Sequence, residues 1–200
     1  IVIQIMLNTL GASAVAAYTA AGKIDQLATQ VGNSFGITLA TYSAQNYGAR
    51  EFGRISKGVR QTLMVSIIFS LVMGALIIAF GRPLVNLFIG NNQPHVTDLA
   101  QIYFRFNSSC YFILAILFAI RYTLQGLGQS FIPTLAGIAE LFMRIFAGIF
   151  LVQQFGFMGA SLANPLAWIG SCLVLLSSYF KTMHQLKRRE AGKNREEQDV

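Results

Sequence analysis

Apolar runs of spanning length alternate with short polar, glycine-bearing segments along these 200 residues, and the stretch from Lys23 to Arg60 sets the pattern for the rest. Plotted at about 100° per residue, Ile24, Ala28, Val31, Phe35, Leu39 and Tyr42 fall on one apolar stripe of a helix. Gln26, Gln30, Asn33, Ser34, Thr41 and Gln45 gather on another arc. Gly32 and Gly36 lie between the two, a spacing that lets a neighbouring helix come close where lipid removes the hydrophobic gain of contact. One face suits lipid, one suits another helix, and one suits water.

The next run, Leu63 to Phe80, carries no charge, and at about 1.5 Å per residue it nearly crosses a hydrocarbon core of roughly 30 Å. Extended along the chain, the same reading predicts an all-α polytopic membrane protein, a six-helix transmembrane bundle whose first helix is truncated. The expected spans are 1–7 (partial), 13–47, 61–80, 98–125, 131–152 and 162–180, followed by a polar tail at 181–200. Ile1 to Leu7 is apolar with no Met and no basic segment before it, so it is expected to be the outer end of a helix that begins elsewhere. Gly48 should close the long helix, with a basic loop carrying Arg50, Arg54, Lys57 and Arg60 behind it. Gly81-Arg82-Pro83 should break the following span and leave the apolar segment after it lying on the outer surface.

Composition strengthens the membrane reading: 54% of residues are hydrophobic and 12% charged, against roughly 25% charged in soluble domains. Mean hydropathy is +0.54. The net charge of +7 is no sign of nucleic acid, because it lies in loops flanking spans and in the tail, where the positive-inside rule accounts for it. That tail holds six of the 15 basic residues and four of the eight acids, and it is expected to be cytoplasmic, solvated and frayed after its first turns. Cys110 and Cys172 fall inside spans and both histidines fall outside them. No triad, zinc cluster or phosphate loop can be assembled, so no enzyme, metal or organic cofactor is expected.

Glu140 and Arg144 sit near the middle of the 131–152 span, acid N-terminal to base at i, i+4, so they can pair on one helix face. A charge at that depth costs at least ~2.5–3.5 kcal/mol and faces the bundle interior or a watery cavity. A coupling site and a fixed ion pair that orients the helix both fit this pattern. Arg105 and Arg144 read as the only deep bases, and Arg121 reads as the basic closure of the 98–125 span at its cytoplasmic end.

Finally, LGASAVAAYTAAGKIDQLATQVGNSFGITLATYSAQNYGARE resembles the seventh-to-eighth helix region of the multidrug and toxic compound extrusion (MATE) family. The small-residue run before Lys23-Ile24-Asp25 and the segment Ala44-Gln45-Asn46-Tyr47-Gly48-Ala49 carry most of the likeness. Phe80-Gly81-Arg82-Pro83, then Gln125-Gly126-Leu127-Gly128-Gln129-Ser130 and Gly156-Phe157-Met158-Gly159-Ala160, follow in the family's order. The resemblance covers about Asn8 to Phe180. It implies one lobe of a two-lobe, multi-pass cell-membrane transporter, exporting small organic, often cationic, compounds in exchange for Na⁺ or H⁺ as it alternates between inward- and outward-open states. The chain would be most of the C-terminal lobe, and an N-terminal lobe would be its partner. Gln26, Gln30, Asn33 and Ser34 would face the cavity, with Glu140 the leading coupling acid beside Arg144. Asp25 would act from near the outer surface or serve structure. Coupling acids of some members lie on the seventh and tenth helices; here the 98–125 span has no acid below Asp98. A lipid-linked oligosaccharide flippase of the same superfamily and a non-transporting scaffold are the competing readings.

Overall fold

The computed structural model describes residues 2–90 and 93–198, with side chains to residue 192. It is all-α among those residues: α1 Val2–Thr9, α2 Ala12–Gly48, α3 Phe52–Ile89, α4 Pro94–Ser109, α5 Tyr111–Gly126, α6 Phe131–Phe146, a π-helical turn Ala147–Leu151, α7 Val152–Phe155 and α8 Phe157–Gln198. Helix α3, the run 131–155 and α8 are each long and apolar enough to cross a bilayer, and α4 with α5, bent by 46°, passes the same test when the pair is taken as one span. Helix α2, 37 residues long, is not among them. Its polar arc dilutes the apolar positions.

Several boundaries differ from expectation for identifiable reasons. Pro83 does not end α3, which continues to Ile89. A proline withholds one N–H and leaves the carbonyl four residues back, here that of Ala79, without its bond, and contacts from α4 hold the helix together around that point. Gln101 of α4 donates to the Ile78 carbonyl at 2.7 Å, Arg82 pairs with Asp98 at 2.8 Å, and Gly81 lets the Phe104 ring lie against the backbone. Pro165 presents the same problem inside α8. The Ser161 carbonyl it orphans accepts from Nδ2 of Asn107 at 2.9 Å, and Asn107 is fully buried. Two polar side chains of α4 thus bond to backbone carbonyls of the helices on either side of it, and that of Asn107 meets the one Pro165 orphans.

The 98–125 span is two helices meeting at Cys110. Just before the bend, Gly74 of α3 has no side chain to keep off the Ser108 carbonyl, so α3 and α4 touch backbone to backbone. The expected loop at Arg50–Arg60 is much shorter, because Arg54, Lys57 and Arg60 stand on the first turns of α3. Helix α2 ends in a Schellman arrangement: the Glu51 N–H donates to the Asn46 carbonyl at 2.8 Å and that of Arg50 to Tyr47 at 3.1 Å. Arg50 takes the left-handed position, φ 58, that glycine usually fills.

The 162–180 span begins at Phe157, after a turn in which Gly156 adopts φ 56, and it does not stop at 180. The tail expected to fray stays helical to Gln198 because it has something to pack on. Leu186 is buried with Leu39, Phe52, Ile55 and Val59, and the Glu190 carboxylate accepts from the Gly53 N–H at 2.9 Å. That carboxylate caps α3, whose own N-cap residue Glu51 makes no side-chain cap.

Candidate functional site

Helices α2, α5, α6 and α8 converge on a cleft of about 300 Å³. Asp25 and Gln26 border it from α2, Arg121 from α5, Glu140 and Arg144 from α6, and Asn164 and Trp168 from α8. Four charged side chains meet there, two of each sign.

The predicted i, i+4 pair forms: Nη2 of Arg144 lies 2.8 Å from one Glu140 oxygen. The other oxygen is taken by Nη2 of Arg121 at 2.9 Å. Arg121 also donates to Oγ of Ser171 at 2.8 Å. Arg121 is therefore no closure of its helix but a deep base joining α5 to α6 and α8. Arg105, expected to be deep, is exposed on α4. Both oxygens of Glu140 are thus occupied by guanidinium, which leaves the triad with one positive charge in excess.

Asp25 is the opposite case. It sits about 20 Å along α2 from Ala12 at the usual rise, and its side chain is buried in the bundle, 8% exposed. Tyr111 donates its hydroxyl to one carboxylate oxygen at 2.5 Å, and Tyr103 donates to the other at 3.3 Å. Asn164 in turn donates to the Tyr103 oxygen at 3.1 Å, and Tyr18 stands edge-on to the Tyr103 ring at 5.1 Å between centroids. No cation pairs with Asp25 among the described residues.

The remaining cavity candidates separate. Gln26 borders the cleft. Gln30 and Ser34 are exposed on the same side of α2, with Ser34 bonded back to the Gln30 carbonyl at 3.1 Å, and Asn33 accepts from the Tyr122 hydroxyl. Gly32 and Gly36 do admit close contact, but with the rings of Phe118 and Tyr122 of α5 and not with another backbone. Tyr103, Tyr111, Asn164 and Arg121 escaped the sequence reading. The two tyrosines, eight residues apart in an apolar span, carry the one signal that was available, since i and i+8 share a helix face.

A polytopic helical bundle with paired charges facing an interior cleft belongs to the class of membrane proteins that handle polar species within the bilayer. Comparison with known proteins narrows this. The MatE family model matches residues 1–151, and the chain belongs to that family. It is 24% identical over 179 residues to the Bacillus subtilis (strain 168) protein named "Probable multidrug resistance protein YoeA", an alignment covering 86% of this chain and 38% of that one. Solved structures of the same fold include a MATE protein in the bent conformation (TM-score 0.81, 19% identity, 87% of this chain and 39% of that one). A multidrug resistance MATE family transporter of the MOP superfamily in its inward-facing conformation is also similar (TM-score 0.78, 20% identity, 88% and 40%). A MOP superfamily transporter from Pyrococcus furiosus Vc1 (DSM3638), described as having a binding pocket of reversed polarity, has a TM-score of 0.79 at 19% identity, covering 87% and 38%. The chain spans about two fifths of the length of these relatives.

Proposed function

We propose that these residues form one lobe of a secondary active transporter that exports small organic compounds by antiport with Na⁺ or H⁺ through alternating access. The observation that carries the reading is Asp25, a buried carboxylate on the cleft held by two tyrosine hydroxyls and, among the described residues, by no cation. Protonation or cation binding there changes the charge of the cleft by one unit and so shifts the balance between two facing states. Glu140, the leading acid in the sequence, takes the lesser part, because two arginines already neutralise it. In this reading Glu140, Arg121 and Arg144 fix the wall of the cleft, while Gln26 and the exposed Gln30 meet the substrate beside the second lobe.

Organic cations fit the Asp25 side of the cleft. The flippase alternative calls for a strongly cationic cavity, whereas Arg121 and Arg144 are matched in number by Asp25 and Glu140. The basic end of the bundle and the tail face the cytoplasm in this proposal, following the positive-inside rule.

The test is efflux of a fluorescent cationic dye from vesicles holding the full-length protein, with the Na⁺ and H⁺ gradients collapsed separately. Loss of efflux on collapsing one gradient is the expected result and names the ion. Asp25→Asn should abolish that gradient dependence, and Glu140→Gln should leave it in place at reduced protein stability. Undiminished gradient-driven export by Asp25→Asn would refute the assignment of Asp25.

A further inference from the structure

At the basic end of the bundle a second cleft, about 490 Å³, opens between the start of α3 and the far part of α8. Its apolar lining includes Leu63, Tyr179 and Met183, and its charged lining is Lys57, Arg60 and Lys187. All three cations are exposed, and none forms an ion pair among the described residues, whose pairs join Glu51 to Arg54, Asp98 to Arg82, and Glu140 to Arg121 and Arg144. Among the described residues no acid lines the cleft.

Depth says what such a site would hold. The charge-free stretch of α3 begins at Gln61 and that of α8 ends at Phe180, so the cleft straddles the edge of the apolar layer. Lys57 and Arg60 stand about 5–9 Å beyond Leu63 along α3, and Lys187 about 10 Å beyond Phe180 along α8, at 1.5 Å per residue. Headgroups occupy a layer of about 5–8 Å on each side of the hydrocarbon. On the inner side the cleft runs into an apolar face of α3 that is open along its length, with Met64, Ile68 and Leu71 each more than half exposed. A ligand fitting this place has an anionic head among three cations and hydrocarbon tails lying along that face.

We propose that this cleft is a binding site for one anionic phospholipid, with its phosphate held by Lys57, Arg60 and Lys187 and its acyl chains on the exposed face of α3. It lies away from the transport cleft and is independent of the coupling role given to Asp25. Inorganic phosphate alone would find the cations but gain nothing from Leu63, Tyr179 and Met183, so the site is a lipid site.

Native mass spectrometry of the full-length protein in micelles, titrated with phosphatidylglycerol or phosphatidylcholine of matched chains, tests this. One phosphatidylglycerol should be retained more tightly than any phosphatidylcholine. The double variant Lys57→Gln/Arg60→Gln should weaken that retention about tenfold or more, at about one unit of kcal/mol per basic residue near an anionic surface. Lys181→Gln/Arg188→Gln removes the same charge nearby but outside the cleft, and should leave it unchanged. Met183→Trp, which fills the cleft without altering charge, should also expel the lipid. Equal losses in the two charge variants, equal retention of the two lipids by the unaltered protein, or full retention by Met183→Trp would each overturn the proposal.

Discussion

Replacing Glu140 by Gln keeps the shape of the side chain and leaves two guanidinium groups facing a neutral amide. Breaking a buried pair by removing one partner costs about 3–5 kcal/mol. The side chains of Glu140 and Arg121 keep 18% and 20% of their exposure, so screening reduces the expected loss to about 2–3 kcal/mol. The two arginines should not be equivalent. Arg144 pairs within one helix and its side chain is 41% exposed, so Arg144→Gln should cost only about 0.5 kcal/mol. Arg121 ties α5 to both α6 and α8, and Arg121→Gln should cost about 2 kcal/mol. Unfolding by dodecyl sulfate in mixed micelles reads these values through the fluorescence of Trp168, the single Trp of these residues, whose ring borders the same cleft. A double-mutant cycle on Arg121 and Glu140 should return a coupling of about 1–2 kcal/mol. Equal costs for the two arginines, or no coupling between Arg121 and Glu140, would refute the reasoning.

Asn107→Leu leaves the carbonyl orphaned by Pro165 without its donor and should cost about 1–2 kcal/mol in the same unfolding measurement; a neutral outcome would mean that α8 repairs itself. Leu186→Ala removes the buried anchor of the tail, 3% exposed. It should cost about 2–4 kcal/mol and open the segment 181–192 to limited proteolysis, whereas Lys181→Ala, exposed on the same helix, should stay within about 0.5 kcal/mol of the unaltered protein.

What the sequence disclosed and what it hid divide along a physical line. Glu140 and Arg144 were legible because a helix fixes the relation of i to i+4 whatever surrounds it. Their third member was not: Arg121 is 19 positions from Glu140, and only the packing of α5 on α6 brings the two together. Asp25 and Tyr111 are 86 positions apart, so nothing local to Asp25 announced the two hydroxyls that hold it. Pro83 and Pro165 carry the same local signal, yet neither ends its helix: the carbonyl Pro165 orphans takes its donor from Asn107 of a different helix, and Gln101 of that same helix bonds α3 just before the turn Pro83 disturbs. The tail misled in the opposite direction. Its composition is that of a solvated segment, and a single leucine at 186 with a single glutamate at 190 is too little pattern to announce docking. Of the family motifs, the segments at 44–49 and 125–130 fall where α2 and α5 end, and the one at 80–83 falls inside α3.

Helix α8 touches both ends of this arrangement. Asn164, Trp168 and Ser171 belong to the interior cleft and its triad, and Glu190 caps α3 at the basic end. From Pro165 to Glu190 the helix is about 37 Å long at 1.5 Å per residue, which makes it a lever with its pivot beside the charged cleft. A tilt of about 5° at Pro165, where the backbone already lacks one bond, sweeps the tip through about 3 Å over that length. The cap on Gly53 spans 2.9 Å, so a rearrangement too small to notice at the cleft is large enough to unlatch the far end.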